Sequence, residues 1–211
     1  KDAGLLVIGD VKRGDIGSTA AAYAQAFLRG IEGQDPRTLC DSITVNPYLG
    51  SDSVAPIIAE CEATGGGMYV LVRTSNPSSA EFQALSTAGP DGRPSLLADR
   101  VADAVDRWGR DLVGESGWSS VGAVVGATHP AELARLRGLM PQTPLLLPGY
   151  GAQGAGALDI VGGFRDGLHG ALVNSSRGIL FAGKEAPEKH WKDAAAGAMD
   201  AMADGLRAAL L

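Results

Sequence analysis

The sequence is poor in the residues that hold metals and disulfides. Its 211 residues include two cysteines, Cys40 and Cys61, and three histidines, His129, His169 and His190, far apart in the chain. There is no C-x-x-C pair and no carboxylate–histidine spacing that suggests a metal site. Two plain thiols fit a reducing compartment, and the cytoplasm is the expected location. No apolar run approaches the ~20 residues of a membrane span, and no stretch is built like a secretory signal. An excess of positive charge is also missing. The formal net charge is −6, which argues against non-specific nucleic-acid binding and against docking on an anionic membrane. What remains is a globular composition. Hydrophobic residues make up 45% and charged residues 20%, enough for a sizeable core in one domain or two small ones.

The apolar run Leu5-Leu6-Val7-Ile8 has the length and branching of a buried strand. Asp10, Lys12 and Asp15 follow closely, and then Gly17-Ser18-Thr19 opens an alanine-rich helix to about residue 29, with Ser18 or Thr19 as its cap. Further strands are predicted at 42–45, 68–72, 121–125, 144–147 and 170–173. Helices are predicted from 52 or 53 to 63, at 95–113, from 129 to 139, and from beyond Pro187 to the end. Residues 78–94 are polar and read as a mobile loop. Residues 1–4 read as a helix tail closed by Gly4. Short apolar strands alternating with helices predict a parallel sheet with right-handed crossovers. The glycine-rich and polar segments follow strands, and both doubly wound sheets and closed barrels carry their sites at that end. Six strands are counted, where a closed (β/α)8 barrel needs eight.

Continued to Lys12, the first strand would put Asp10 and Lys12 on one face, because side chains alternate with period two. Charges gathered at the end of a buried strand are costly to desolvate unless they pair. The spacing fits a charged turn as well as a reactive set. The loop Pro148-Gly149-Tyr150-Gly151-Ala152-Gln153-Gly154 lets backbone N–H groups approach an anion. Ser175, Ser176 and Arg177 stand near a helix start after the next strand. Either segment alone is ordinary; in successive βα loops they predict a phosphate site. Thr74-Ser75-Asn76 offers groups for a base or sugar, or simply forms a turn. Arg13-Gly14-Asp15 spells an adhesion tripeptide but follows a buried strand, and is set aside. His129 is read as a helix-start residue, and Met199 and Met202 as packing of the last helix.

Asp10-Val11-Lys12-Arg13-Gly14-Asp15-Ile16-Gly17-Ser18-Thr19 resembles the signature of the orotidine 5′-phosphate decarboxylase family, Asp-x-Lys-x-x-Asp-Ile followed by a Thr. The segments Val45-Asn46-Pro47-Tyr48-Leu49-Gly50, Thr74-Ser75-Asn76-Pro77 and Val124-Val125-Gly126-Ala127-Thr128 resemble the bacterial type 2 branch of that family, as do the glycine loop and Asn174-Ser175-Ser176-Arg177. The resemblance runs through nearly the whole chain in the family's order.

It implies a (β/α)8 TIM barrel, a cytoplasmic homodimer with shared sites, and conversion of orotidine 5′-monophosphate to UMP and carbon dioxide without metal or organic cofactor. It assigns proton donation at C6 to Lys12 and a place beside the substrate carboxylate to Asp10. Asp15 and Thr19 would reach into the partner's site. Ser75 would contact the pyrimidine, Gln153 would bridge base and phosphate, and Arg177 would hold the phosphate. The 211 residues match the last six βα units, as a single N-terminally incomplete barrel domain. The first two units, with a ribose-binding Asp and a second Lys, are the expected missing part. Two alternatives are carried: a magnesium-dependent relative of the hexulose phosphate synthase kind, and an inactive nucleotide-binding barrel fragment.

Overall fold

Strand-forming and helix-forming segments alternate along the computed structural model, which describes residues 4–30, 39–89, 91–151, 154–165, 167–184 and 190–211. The strands are β1 (Ile8–Arg13), β2 (Ser42–Val45), β3 (Gly67–Arg73), β4 (Ser86–Ala88), β5 (Pro94–Leu96), β6 (Val121–Val125), β7 (Leu145–Pro148) and β8 (Ala171–Asn174). The helices are α1 (Gly17–Ala24), α2 (Ser51–Thr64), α3 (Ala80–Gln83), α4 (Leu97–Gly109), α5 (Pro130–Leu139), α6 (Ser176–Leu180) and α7 (Trp191–Leu210). Six strands form one sheet in the order β1-β2-β3-β6-β7-β8, and every neighbouring pair is parallel. β4 and β5 form a separate antiparallel hairpin.

The sheet is curled and open. Side chains from β1, β3, β6, β7 and β8 line one cavity on its concave face, which a flat sheet could not arrange. Its two edges, β1 and β8, are not paired with each other. The expected six parallel strands are therefore present, in an incomplete ring.

The convex face carries the core. Ile43, Val45, Val70, Val125, Leu145 and Leu147 pack with Val54, Ile57, Val105, Leu133 and Leu136, all of them buried. Each such side chain contributes about 1.5–3 kcal/mol relative to exposure. α2 ends at Gly65 in the left-handed conformation, as its glycine run predicts. A second anchor closes the opposite end of the strands. The buried guanidinium of Arg137 donates to the carbonyls of Gly163, Met140, Thr143 and Gly170 at 2.7–3.0 Å. Burial lowers its pKa to about 10.

Several expectations change. The first strand lies at Ile8–Arg13, not 5–8. Leu5 and Leu6 are 69% and 85% exposed, because they precede the edge strand β1, which has a neighbour on one side only. Residues 78–94 hold a 3₁₀ turn (Pro77–Ser79), α3 and the β4–β5 hairpin. α1 starts after Ile16, and no side chain caps it. α7 has no buried residue, and Met199 is exposed. The expected helix tail at residues 1–3 lies outside the described residues. No described helix is long and apolar enough to cross a membrane.

Candidate active site

The reactive-looking end of β1 is irregular. Between Gly9 and Arg13 the register with β2 slips, so four steps along β1 face two along β2. Such a bulge re-aims side chains and strengthens local twist. Within it Lys12 adopts φ +46°, the one described non-glycine residue at positive φ. That conformation costs of order 1–3 kcal/mol and persists only where surroundings impose it. Here the cause is Thr44 on β2. Its buried hydroxyl accepts the Lys12 backbone N–H at 2.9 Å and donates to Asp10 Oδ1 at 3.0 Å. Lys12 Nζ donates to the same Oδ1 at 2.5 Å.

Asp10 and Lys12 thus share a face, as the period-two reading expects. Their side chains are 63% and 50% exposed. An ion pair so exposed adds little stability, and the strained backbone subtracts some. The arrangement is better explained by what it presents than by what it holds together.

It presents a cation and a carboxylate to a cavity of about 570 Å³, within the range for small-ligand sites. Ile8, Leu71, Val124 and Leu146 give this cavity apolar walls. Thr74, Ser75, Asn76 and Gln83 supply polar groups on one side, and Asn174 and Ser176 on another. A smaller cavity of about 130 Å³ adjoins it and shares Pro148, Asn174 and Ser176. Gly149, Tyr150, Ser175 and Arg177 line this second space. Gly149 and Gly151 have φ +102° and +72°, values that favour glycine in this loop. The Ser175 hydroxyl donates to the Tyr150 carbonyl at 3.3 Å and ties the two loops together. Arg177 is exposed and has no ion pair with the described residues. A free guanidinium beside glycine-rich backbone suits an oxyanion.

Of the residues singled out in the sequence, Asp10, Lys12 and Ser75 line the larger cavity and Arg177 the smaller one. Asp15 and Thr19 line neither. Asp15 accepts the Ile16 N–H at 2.8 Å at the approach to α1, and Thr19 is exposed on that helix. Gln153 lies outside the described residues. Sequence reasoning missed Thr44 and Gln83. For Thr44 there was a signal: Ser42 and Thr44 alternate with Ile43 and Val45, which puts both hydroxyls on the concave face. For Gln83, in a polar stretch, there was none. Among the described residues, no three His, Cys, Asp or Glu side chains gather as a metal site.

Comparison with known proteins agrees with this geometry. The sequence model of the orotidine 5′-phosphate decarboxylase / HUMPS family matches residues 1–193. An orotidine 5′-phosphate decarboxylase of Rhodopirellula baltica is 43% identical over 97% of this chain and 68% of its own length. One from Deinococcus radiodurans is 44% identical over 85% of this chain and 60% of its own. The structure of Leishmania donovani OMP decarboxylase superposes with a TM-score of 0.71 at 32% identity, covering 97% of this chain and 70% of that one. The chain therefore spans 60–68% of the length of these two curated relatives. A match of this extent, on a curled parallel sheet with Asp10 and Lys12 at one strand end, places the chain in the orotidine 5′-phosphate decarboxylase / HUMPS family.

Proposed function

We propose that the protein to which these residues belong decarboxylates orotidine 5′-monophosphate to UMP. The observation that carries the reading is the strained Lys12, ion-paired to Asp10, facing a cavity that runs into the Arg177 loop. The phosphate binds at Arg177, Gly149 and Gly151. The pyrimidine lies against Ser75. Its carboxylate is directed to the end where Asp10 and Lys12 stand. The bond from C6 to the carboxylate breaks, carbon dioxide leaves, and the electron pair remains on C6. A proton from Lys12 Nζ passes to C6, and Lys12 regains one from solvent. A carbanion without a delocalising cofactor is best met by a preorganised cation, which the Thr44-braced backbone supplies. Binding energy from the remote phosphate assists loop closure over the site.

The protein acts as a two-fold dimer in this reading. Asp15 and Thr19 do not line their own cavity and complete the partner's. Exposed Ile16, Tyr48 and Leu49 stand at the same end of the sheet, since the loop after β1 packs on Asn46. They give the partner an apolar face.

The test is Lys12→Ala in the full chain. Loss of orotidylate absorbance should cease while the circular dichroism spectrum stays unchanged. More than about a tenth of the parent kcat, a barrier change under ~1.4 kcal/mol, would exclude proton donation by Lys12.

A further inference from the structure

The polar wall of the larger cavity is the tripeptide Thr74-Ser75-Asn76, and its placement has a specific cause. Arg73, the last residue of β3, turns its guanidinium inward and is only 4% exposed. Nε donates to Glu132 Oε2 at 2.7 Å and a terminal nitrogen to Oε1 at 3.5 Å. The other terminal nitrogen donates to the Ser79 hydroxyl, to the Thr74 carbonyl at 3.4 Å and to Gln83 Oε1 at 3.4 Å. Gln83 in turn takes hold of Thr74. Its Oε1 accepts the Thr74 backbone N–H at 2.8 Å, and its Nε2 donates to the Thr74 hydroxyl at 2.9 Å. On the other side Gly126 packs against Ser75, where any Cβ would come within 3.0 Å of the Ser75 backbone. Thr74 is thus bound through its N–H, its hydroxyl and its carbonyl, and Ser75 is backed by a residue that must be glycine.

A buried arginine is costly unless fully hydrogen-bonded, and ending a β-strand does not need one. Apart from Glu132 on α5, its partners are Thr74 itself and Ser79 and Gln83 in the segment just after this tripeptide. We propose that Gln83, seated by Arg73 and Glu132, is a positioning residue for base recognition: it fixes Thr74 so that Ser75 faces the bound base before any ligand arrives. Prepaid ordering of this kind raises affinity without a new contact. The inference rests on the proposed function only for the ligand.

The experiment compares Gln83→Met with the parent in the full chain. Gln83→Met keeps length and removes the amide's hydrogen bonds to Thr74 and Arg73. Backbone amide exchange at Thr74 and Ser75 should quicken about tenfold or more, the loss of roughly one hydrogen bond, while β3 and β6 amides are unchanged. Calorimetry should show UMP binding about tenfold weaker and ribose 5-phosphate binding unchanged, since the latter has no base. Ser75→Ala should largely abolish the difference between parent and Gln83→Met for UMP. Unchanged exchange at Thr74 would overturn the proposal. So would equal weakening for both ligands, which marks a merely structural role. A parent protein without decarboxylase activity would sink that reading alone, because amide exchange and the binding of UMP and ribose 5-phosphate are read without turnover.

Discussion

At the scale of single residues, the hydroxyl of Thr44 is what turns an ordinary β-branched strand position into part of the site. It accepts from the Lys12 backbone and donates to Asp10, so it sets the cation's backbone and the carboxylate's orientation together. Thr44→Val keeps shape and branching and removes only these bonds. A partly buried N–H left without its acceptor costs about 1–3 kcal/mol, and Lys12 loses the contact that holds it at φ +46°. The expected outcome is a kcat reduced about 10- to 100-fold, with KM for orotidine 5′-monophosphate changed less than about threefold, and recovery in Thr44→Ser. A kcat within about a factor of two of the parent would show that the hydroxyl does not hold the cation. The shared face of Asp10 and Lys12 was legible from spacing alone because it is a local property of one strand. The positive φ of Lys12 was not, because its cause sits on another strand 32 residues away.

Among elements, the strand-and-helix alternation was legible because central strands are buried on both faces and read as continuous apolar runs. β6 is buried throughout, and it lies where the sequence puts it. The edge strand was misplaced for the same reason. Leu5 and Leu6 look buried by composition, yet burial depends on a neighbour that local sequence does not reveal. Residues 78–94 looked loose because their order comes from polar contacts rather than an apolar stripe. Arg73 bonds Ser79 and Gln83 of this segment, and its ion pair with Glu132 is open to a pH test. The Arg73 hydrogen bond holds the Glu132 carboxyl below the ordinary glutamate value of 4.5, against the opposing effect of burial. A carboxyl whose folded pKa is depressed adds stability above its unfolded pKa and loses it as pH falls through the folded one. Glu132→Gln should therefore lower the melting temperature at pH 7, and the gap from the parent should narrow as pH drops below about 4.5. A gap independent of pH between 7 and 3 would show that the charge on Glu132 does not brace Arg73.

For the molecule as a whole, the open sheet is the governing fact. β1 and β8 present unpaired edges, Leu6 and the half-exposed Leu172 lie toward the gap, and no described residue of α7 is buried. A polypeptide of just these 211 residues should bind an apolar dye such as anilinonaphthalene sulfonate, because unpaired edges and exposed apolar side chains invite association. Leu6→Lys with Leu172→Lys should reduce that fluorescence, and no dye binding by the unmodified polypeptide would show that these surfaces are covered. The second prediction follows from where Asp15 and Thr19 stand. Neither lines its own cavity, so in the proposed dimer each site takes Lys12 from one subunit and Asp15 from the other. Asp15→Ala and Lys12→Ala full chains should each be nearly inactive alone. Random exchange makes half the dimers hybrids, and each hybrid has one intact site and one doubly defective site. The mixture should regain about a quarter of the parent activity under two-fold symmetry. The two outcomes separate cleanly. If each site were built within one subunit, every site in the mixture would lack one group and activity would stay at the level of the single variants. Mixing without recovery, once subunit exchange is shown by differently labelled chains, would confine Asp15 to its own subunit and remove the reason for a shared face.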